Sequence, residues 1–214
     1  MLIYPTKKSN STKALPNVML LNARSIFNKI YELTIQVDKC TPDIIFVTET
    51  WLTVNIPHEA IPVPDFNLFR NDRPSGRGGG VSINVNNEFP INIRNDICNQ
   101  SFECLWLTLR PKWLPRSVPR RAVACVYLPP SIAPDTLGNL YDYFQSCYDI
   151  LTIENSDTTV IVAGDFNPTG NGFNPKILTK HCDLKQIIKK PTRNANILDF
   201  VKILKIFPGF LQFL

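Results

Sequence analysis

The sequence predicts an α/β (α+β) fold in which two sheets pack face to face and helices cover their outer faces. Three observations carry that expectation. Short apolar runs bounded by turn residues recur along the chain, and the 18 prolines against 9 glycines suit bounded strands better than a helical bundle. Segments with helical apolar spacing occur in two separate places, each followed by a continuous apolar run that reads as a buried strand. The middle of the chain is a series of short runs with hairpin spacing, so that part is antiparallel. Two sheets with outer helices are the economical way to bury all of these faces.

Residues 1–16 are polar around Lys7, Lys8, Ser9, Asn10, Ser11 and Thr12, and read as a disordered lead-in. Val-Met-Leu-Leu before Asn22 is the pattern of a buried strand. Ile26, Ile30, Leu33 and Val37 then recur at helical spacing up to about Cys40. Pro42-Asp43 breaks that helix, and Ile-Ile-Phe-Val-Thr48 forms a second buried strand with Glu49 at its carboxyl end. Runs at 66–70, 81–85, 91–94, 104–110 and 122–127 predict a meander. Pro134 is a good first helical residue, and Leu137, Leu140, Tyr141, Phe144, Cys147, Tyr148 and Leu151 mark one face of the helix it opens. A buried strand over 158–163 runs into Gly-Asp165-Phe-Asn167. A short helix near Ile177 follows, with strands near 184–188 and 197–201.

Composition bounds the function classes. The chain of 214 residues fits one domain, and 44% hydrophobic residues are too many for a disordered protein. The 23 Lys+Arg against 18 Asp+Glu leave +5, which permits an anionic partner without demanding one. Six cysteines without a CxxC pair, mostly among apolar neighbours, argue against zinc or a disulfide framework and for a reduced interior. No apolar signal segment opens the chain. The apolar stretch 200–214 is interrupted by Lys202, Lys205, Pro208 and Gly209 and is too short to span a bilayer. The expectation is an intracellular protein, nuclear or cytoplasmic, with no membrane partner and an oligomeric state that the sequence leaves open.

Asn22, Glu49, Asp165 and Asn167 end or follow three of the apolar strands. Loops at strand ends are free of the packing that fills a sheet, so ligand sites gather there. Carboxylate and amide oxygens are hard ligands suited to magnesium, which keeps several waters and takes only one or two protein carboxylates. From patterning alone, the other account is that polar residues stand where the chain exits to water.

A set of motifs goes further. Leu21-Asn-Ala-Arg-Ser25, Asp43-Ile-Ile-Phe-Val-Thr-Glu-Thr-Trp-Leu52, Gly76-Arg-Gly-Gly-Gly-Val81, Val126-Tyr-Leu-Pro-Pro130, Ala163-Gly-Asp-Phe-Asn167, Pro191-Thr-Arg193 and Ile197-Leu-Asp199 occur in that order. The ordered set resembles the endonuclease/exonuclease/phosphatase superfamily. The likeness is to the apurinic-endonuclease-like domain of non-LTR retrotransposons of the CR1 and jockey type, over about residues 17–201. The resemblance implies a four-layer sandwich of two mixed, largely antiparallel sheets. It also implies a magnesium cofactor (with manganese as substitute), DNA as partner, and a reverse transcriptase in the parent element. By position it implies Glu49 as metal ligand with Asn22 beside the metal, and Asp165 as the residue that orients or deprotonates the attacking water. Asn167 and Tyr127 would reach the phosphate, and Asp199 would orient a catalytic histidine. Arg24, Thr192 and Arg193 would bind substrate. Such chemistry needs a metal to neutralise phosphate charge, a base for water and donors aimed at the transition state. At Arg24 the DNA-repair relatives usually carry an acid, so Ala-Arg-Ser favours the retroelement branch.

The family pattern closes with Ser-Asp-His, and the 214 residues contain no such tripeptide; the two histidines are His58 and His181. The expectation is therefore a C-terminally truncated domain lacking its last strand, with residues 202–214 as a divergent tail and with impaired nicking. The alternatives are a catalytically dead remnant that at most binds nucleic acid, and a phosphatase acting on inositol phosphates or lipids. The Ala-Arg-Ser and Glu-Thr-Trp-Leu motifs argue against the phosphatase.

Other features read as structural. The run Ser-Gly-Arg-Gly-Gly-Gly80 lacks the Gly-Lys-Ser/Thr ending of a nucleotide loop and precedes a strand, so a hairpin turn is expected. His58 reads as a solvated loop residue and His181 as a polar helix end. The segment 110–121 holds basic residues around Trp113, either a DNA-contacting hairpin or a solvated loop. Trp51, Trp106 and the Tyr141/Phe144/Tyr148 set read as core.

Overall fold

Strand alternation decides how this chain stacks. The structure, a computed structural model, describes residues 16–99, 101–110, 120–168, 172–182, 184–186 and 199–203, the last five and Thr179 and His181 by backbone alone. A four-stranded sheet is built from β1 (Val18–Asn22), β2 (Ile44–Thr48), β3 (Phe66–Asn71) and β4 (Val81–Asn86), in the order β1-β2-β4-β3. A six-stranded sheet combines β5 (Ile91–Ile93), β6 (Glu103–Leu109), β7 (Arg121–Tyr127), β8 (Thr159–Asp165), β9 (Lys185–Gln186) and β10 (Asp199–Ile203). Its order is β5-β6-β7-β8-β10-β9.

Two pairs, β1/β2 and β7/β8, are parallel and the rest antiparallel. Each parallel pair is joined through a helix, as a parallel crossover requires. These are α1 (Ile30–Cys40), preceded by a 3-10 turn at Phe27–Lys29, and α2 (Pro134–Glu154). A third helix, α3 (Pro175–Cys182), follows β8. Pro134 occupies the first turn of α2, where its missing N–H leaves no helical bond unmade.

Successive strand residues face opposite ways, and the apolar clusters sort accordingly. Leu20, Ile44, Phe46, Val81, Ile83 and Val85 face Leu105, Leu107, Leu109, Val123, Cys125, Ile161 and Ala163 between the sheets. Met19, Leu21, Ile45 and Val47 face the other way, against Leu33 and Val37 of α1. Trp106, Ala124 and Val162 face Leu140, Phe144 and Cys147 of α2. The result is four layers, helix–sheet–sheet–helix, as the sequence led us to expect.

Most element boundaries agree with the sequence reading. β8, however, continues past Ala163 through Asp165, because Gly164 and Asp165 are still paired with Val126 and Tyr127. Trp106 and Phe144 are core as expected, whereas Trp51 is only half-buried and does not belong to it. All six cysteines are free thiols. Among the described residues no helix is long and apolar enough to cross a membrane, and β1 has a strand neighbour on one side only. Thr192 and Arg193 lie outside the described residues, as do most of the lead-in, the basic segment 111–119 and residues 204–214.

Candidate active site

At one end of the sandwich the apolar layer between the sheets gives way to polar side chains. In the six-stranded sheet, Glu103, Tyr127, Asp165 and Asp199 stand abreast in register across β6, β7, β8 and β10. In the four-stranded sheet, Asn22, Thr48, Val81 and Asn71 form the corresponding row across β1, β2, β4 and β3. Continuing the alternation of Leu20, Phe46, Cys125 and Ala163 by two residues turns Asn22, Thr48, Tyr127 and Asp165 inward. The rows are bonded to one another. Asn22 Nδ2 donates to Asp165 Oδ2 at 2.7 Å, the Tyr127 hydroxyl donates to Glu49 Oε1, and Asn71 Nδ2 donates to the Cys104 carbonyl at 3.0 Å.

The backbone at these strand ends is bent to fit. Arg24, Ser25, Glu49, Trp51 and Asn167 all have φ between 42° and 78°, in the left-handed region that non-glycine residues rarely occupy. Such conformations cost on the order of 1–3 kcal/mol each and persist where surrounding bonds enforce them. Those bonds are present. Ser25 N–H donates to the Glu49 carbonyl at 3.0 Å, Ile26 N–H to that of Thr50 at 3.0 Å, and Trp51 N–H to that of Gly79 at 3.0 Å.

Glu49 is held by three protein donors. Its Oε2 accepts from the Trp51 indole N–H at 2.6 Å and from Gly79 N–H at 3.4 Å, while Oε1 takes the Tyr127 hydroxyl. Burial on its own would raise the Glu49 pKa. The bonds from Trp51, Tyr127 and Gly79 and the charge of Arg73 outweigh it, so the carboxyl is held below its ordinary value and stays ionised. Tyr127 moves the other way. Burial, the bond to Glu49 and the charges of Glu49 and Asp165 push its phenol well above the usual range, so it remains a proton-bearing donor.

Asp165 is 1% exposed, and its Oδ1 accepts from Asn167 N–H at 3.3 Å. Asn167 Nδ2 in turn donates to the Leu128 carbonyl at 2.8 Å, which ties the loop after β8 to that after β7. Two buried oxygens, Asn22 Oδ1 and Thr48 Oγ1, have no hydrogen-bond partner although their residues are register neighbours. Unsatisfied buried oxygens are costly, and an amide oxygen and a hydroxyl on the strands that lead to this end are, with the carboxylates, hard donors of the kind magnesium takes. The residues thus fit a hydrated divalent cation. Among the described residues no three His, Cys, Asp or Glu side chains group as metal ligands, so the set is poor in acids and thiolates.

The structure brings together Asn22, Glu49, Tyr127, Asp165 and Asn167 from the sequence-derived set. Asp199 stands opposite Asp165 in the β8/β10 register. Arg24 is exposed on the loop after β1. His58 lies exposed in a 3-10 turn at His58–Ala60. Sequence reasoning missed four participants. Trp51 donates to Glu49 and lies under the Arg77 guanidinium, 5.4 Å from ring centre to Cζ. Arg73 and Glu103 pair across the two sheets, and Gly79 donates its amide to Glu49. The Glu-x-Trp spacing was the available signal for Trp51 and the Gly-rich run 76–81 that for Gly79, read only as a turn, while nothing local announced Arg73 or Glu103.

The four-layer arrangement of helices and mixed sheets is a fold of endonuclease/exonuclease/phosphatase type, shared with the solved structures that it resembles. The structure superposes on the endonuclease domain of TRAS1, a telomere-specific non-LTR retrotransposon, with a TM-score of 0.63 at 12% identity, covering 88% of this chain and 84% of that one. The Caenorhabditis elegans TDP2 structure gives 0.58 at 13% identity, covering 89% and 84%. The catalytic domain of human Nocturnin gives 0.56 at 14% identity, covering 94% and 90%. No family model and no curated protein matches the sequence.

Proposed function

We propose that this protein is a magnesium-dependent phosphodiesterase domain of retroelement type that nicks DNA. The observation that carries the reading is the convergence of two bonded pairs that each span the sheets, Asn22–Asp165 and Glu49–Tyr127, set side by side by the register of Tyr127 with Asp165. Glu49 and the partnerless oxygen of Asn22 would hold the cation, which when bound neutralises charge on the phosphate. Asp165, oriented by Asn22 and by the Asn167 amide, accepts the proton of the attacking water at its carboxylate. Tyr127 keeps its proton, which it gives to Glu49 here, and would be a donor for a phosphate oxygen. Arg24, Thr192 and Arg193 supply contacts to the DNA backbone, whose charge dominates non-specific affinity.

A second reading, a nucleic-acid-binding protein without nicking activity, is favoured by one observation. Both carboxylate oxygens of Glu49 already accept from protein donors, Oε2 from Trp51 and Gly79 and Oε1 from Tyr127. Supercoiled-plasmid nicking in magnesium separates the two. The first reading expects slow nicking that stops with chelator and in Asp165→Ala; DNA retention with no nicking in either protein would establish the second.

A further inference from the structure

We propose that Arg73 and Glu103 act as a positioning pair, a clamp between the two sheets that sets the geometry of Glu49 through Gly79 and Tyr127. The proposal rests on the phosphodiesterase reading for its consequence, since Glu49 is the carboxylate being set.

Arg73 follows β3 in the four-stranded sheet, and Glu103 begins β6 in the six-stranded one. The guanidinium meets Glu103 Oε1 through Nη2 and through Nε, the latter at 2.8 Å, and its Nη1 donates to the Arg77 carbonyl at 3.3 Å. The two side chains are only 25% and 19% exposed. Glu103 Oε2 accepts from Gly80 N–H. One carboxylate therefore holds Arg73 with one oxygen and the glycine turn with the other. That turn is the one whose Gly79 N–H donates to Glu49 Oε2. It has no slack: Gly79 has φ +70°, and a methyl group there would overlap both Arg73 Cζ and Glu103 Oε2.

The other arm runs through Tyr127. Glu103 and Tyr127 are register partners across β6 and β7, and Arg73 Cζ lies 5.7 Å from the Tyr127 ring centre. The phenol pinned beneath Arg73 donates to Glu49 Oε1. Each oxygen of Glu49 thus accepts from a group next to the clamp, Tyr127 on Oε1 and Gly79 on Oε2, with the Trp51 indole as a further donor to Oε2. An arginine free to grip DNA would present its fork to solvent, whereas this fork is turned onto protein acceptors. A lysine keeps the charge but cannot hold two acceptors in a fixed plane.

The test compares Arg73→Lys and Glu103→Ala with the unaltered chain by amide hydrogen exchange. Positioning predicts that the Gly79 and Gly80 amides lose protection at least ~10-fold in both variants, a factor on the scale of local opening. The β6/β7 ladder amides, which report the fold, would stay as they were. In the nicking assay Arg73→Lys would lower kcat about 10-fold with KM for DNA unchanged, and Glu103→Ala would behave alike. Unchanged protection at Gly79 and Gly80 in both variants would overturn the clamp. So would a rise in KM for Arg73→Lys without a matching effect of Glu103→Ala, which would make Arg73 a DNA contact. Loss of protection in a chain that never nicks would uphold the clamp and sink the phosphodiesterase reading instead.

Discussion

At the two ends of the layer between the sheets, buried charge is handled in different ways. At the end where β7 begins, Arg121 is only 4% exposed, and burial pulls its guanidinium down to about 10 while the charge of Asp43 opposes the fall. At the end where β7 finishes, Glu49 is also partly buried, yet its carboxyl is held below its ordinary value by three donors and a cation. The alternation of β7 turns both Arg121 and Tyr127 inward, so a polar residue at the end of an inward row is common to both ends. Connection is what differs. Trp51, Gly79 and Tyr127 all donate to Glu49, Asn22 donates to Asp165, and the β7/β8 register sets Tyr127 beside Asp165, so the two bonded groups meet from strands far apart in sequence. A buried charge without such support is weak grounds for either stability or function; a supported one on a strained backbone is where chemistry is expected.

The largest effect should fall on that contrast. Glu49→Ala should cut magnesium-dependent plasmid nicking by roughly 10²–10³ or more, the scale for groups that act on the transition state as a unit. Arg121→Met at the opposite end should leave nicking unchanged and leave the denaturation midpoint equal or higher, since replacing a weakly supported buried charge by an apolar chain is often stabilising. Equal losses in the two variants would erase the distinction between the ends.

Glycine substitutions sharpen the same contrast within one turn. Gly76 and Gly79 both have positive φ, +85° and +70°, but a methyl group at Gly76 meets nothing while one at Gly79 meets Arg73 and Glu103. Urea unfolding should show Gly79→Ala losing about 1–3 kcal/mol. Gly76→Ala should lose only the backbone part of that.

Tyr127→Phe should be milder. The ring still packs against the inter-sheet layer, and one hydrogen bond to a charged acceptor is removed, worth about 1.5–3 kcal/mol at most. We expect nicking to fall about 10-fold and the melting temperature to drop by several degrees, at about 2–4 °C per kcal/mol for a chain of this size.

The smallest effect is on acid stability. A carboxyl with a depressed folded pKa adds stability above its unfolded value, and that stability is lost as pH falls through the folded one. For Glu49 the loss begins below the ordinary value of 4.5. A pH series of melts should therefore be flatter below that point for Glu49→Gln than for the unaltered chain.

How much of this could be read beforehand depends on whether a residue's role is local. Asn22, Glu49 and Asp165 were legible because each ends an apolar run, and a polar residue there stands out against four or more apolar neighbours. The two sheets with outer helices were legible from short apolar runs bounded by turn residues and from two segments with helical apolar spacing. Tyr127 drew notice only through the family motif, since a tyrosine closing an apolar strand looks like core. Arg73 sits in an Asp-Arg-Pro stretch that reads as a turn, and Glu103 looks like an ordinary polar strand start. Their pairing depends on which strand ends share a row and on two sheets meeting face to face, and no local pattern encodes that. Trp51 was read as core because its size argued for burial, whereas its indole N–H is spent on Glu49.

The central claim, that the connected end is a divalent-cation site, is tested most directly by watching two tryptophans in one spectrum. Trp51 donates its indole N–H to Glu49, while the Trp106 indole donates to the Tyr143 hydroxyl in the layer beneath α2. In a proton–nitrogen correlation spectrum, titration with magnesium should move the Trp51 indole resonance and the Asn22 side-chain amide saturably, and substoichiometric manganese should broaden both. The Trp106 resonance should stay in place. In Glu49→Gln the Asn22 response should vanish. If Trp51 and Asn22 ignore both metals, or if Trp106 responds as strongly as they do, the site is not the cation site described here.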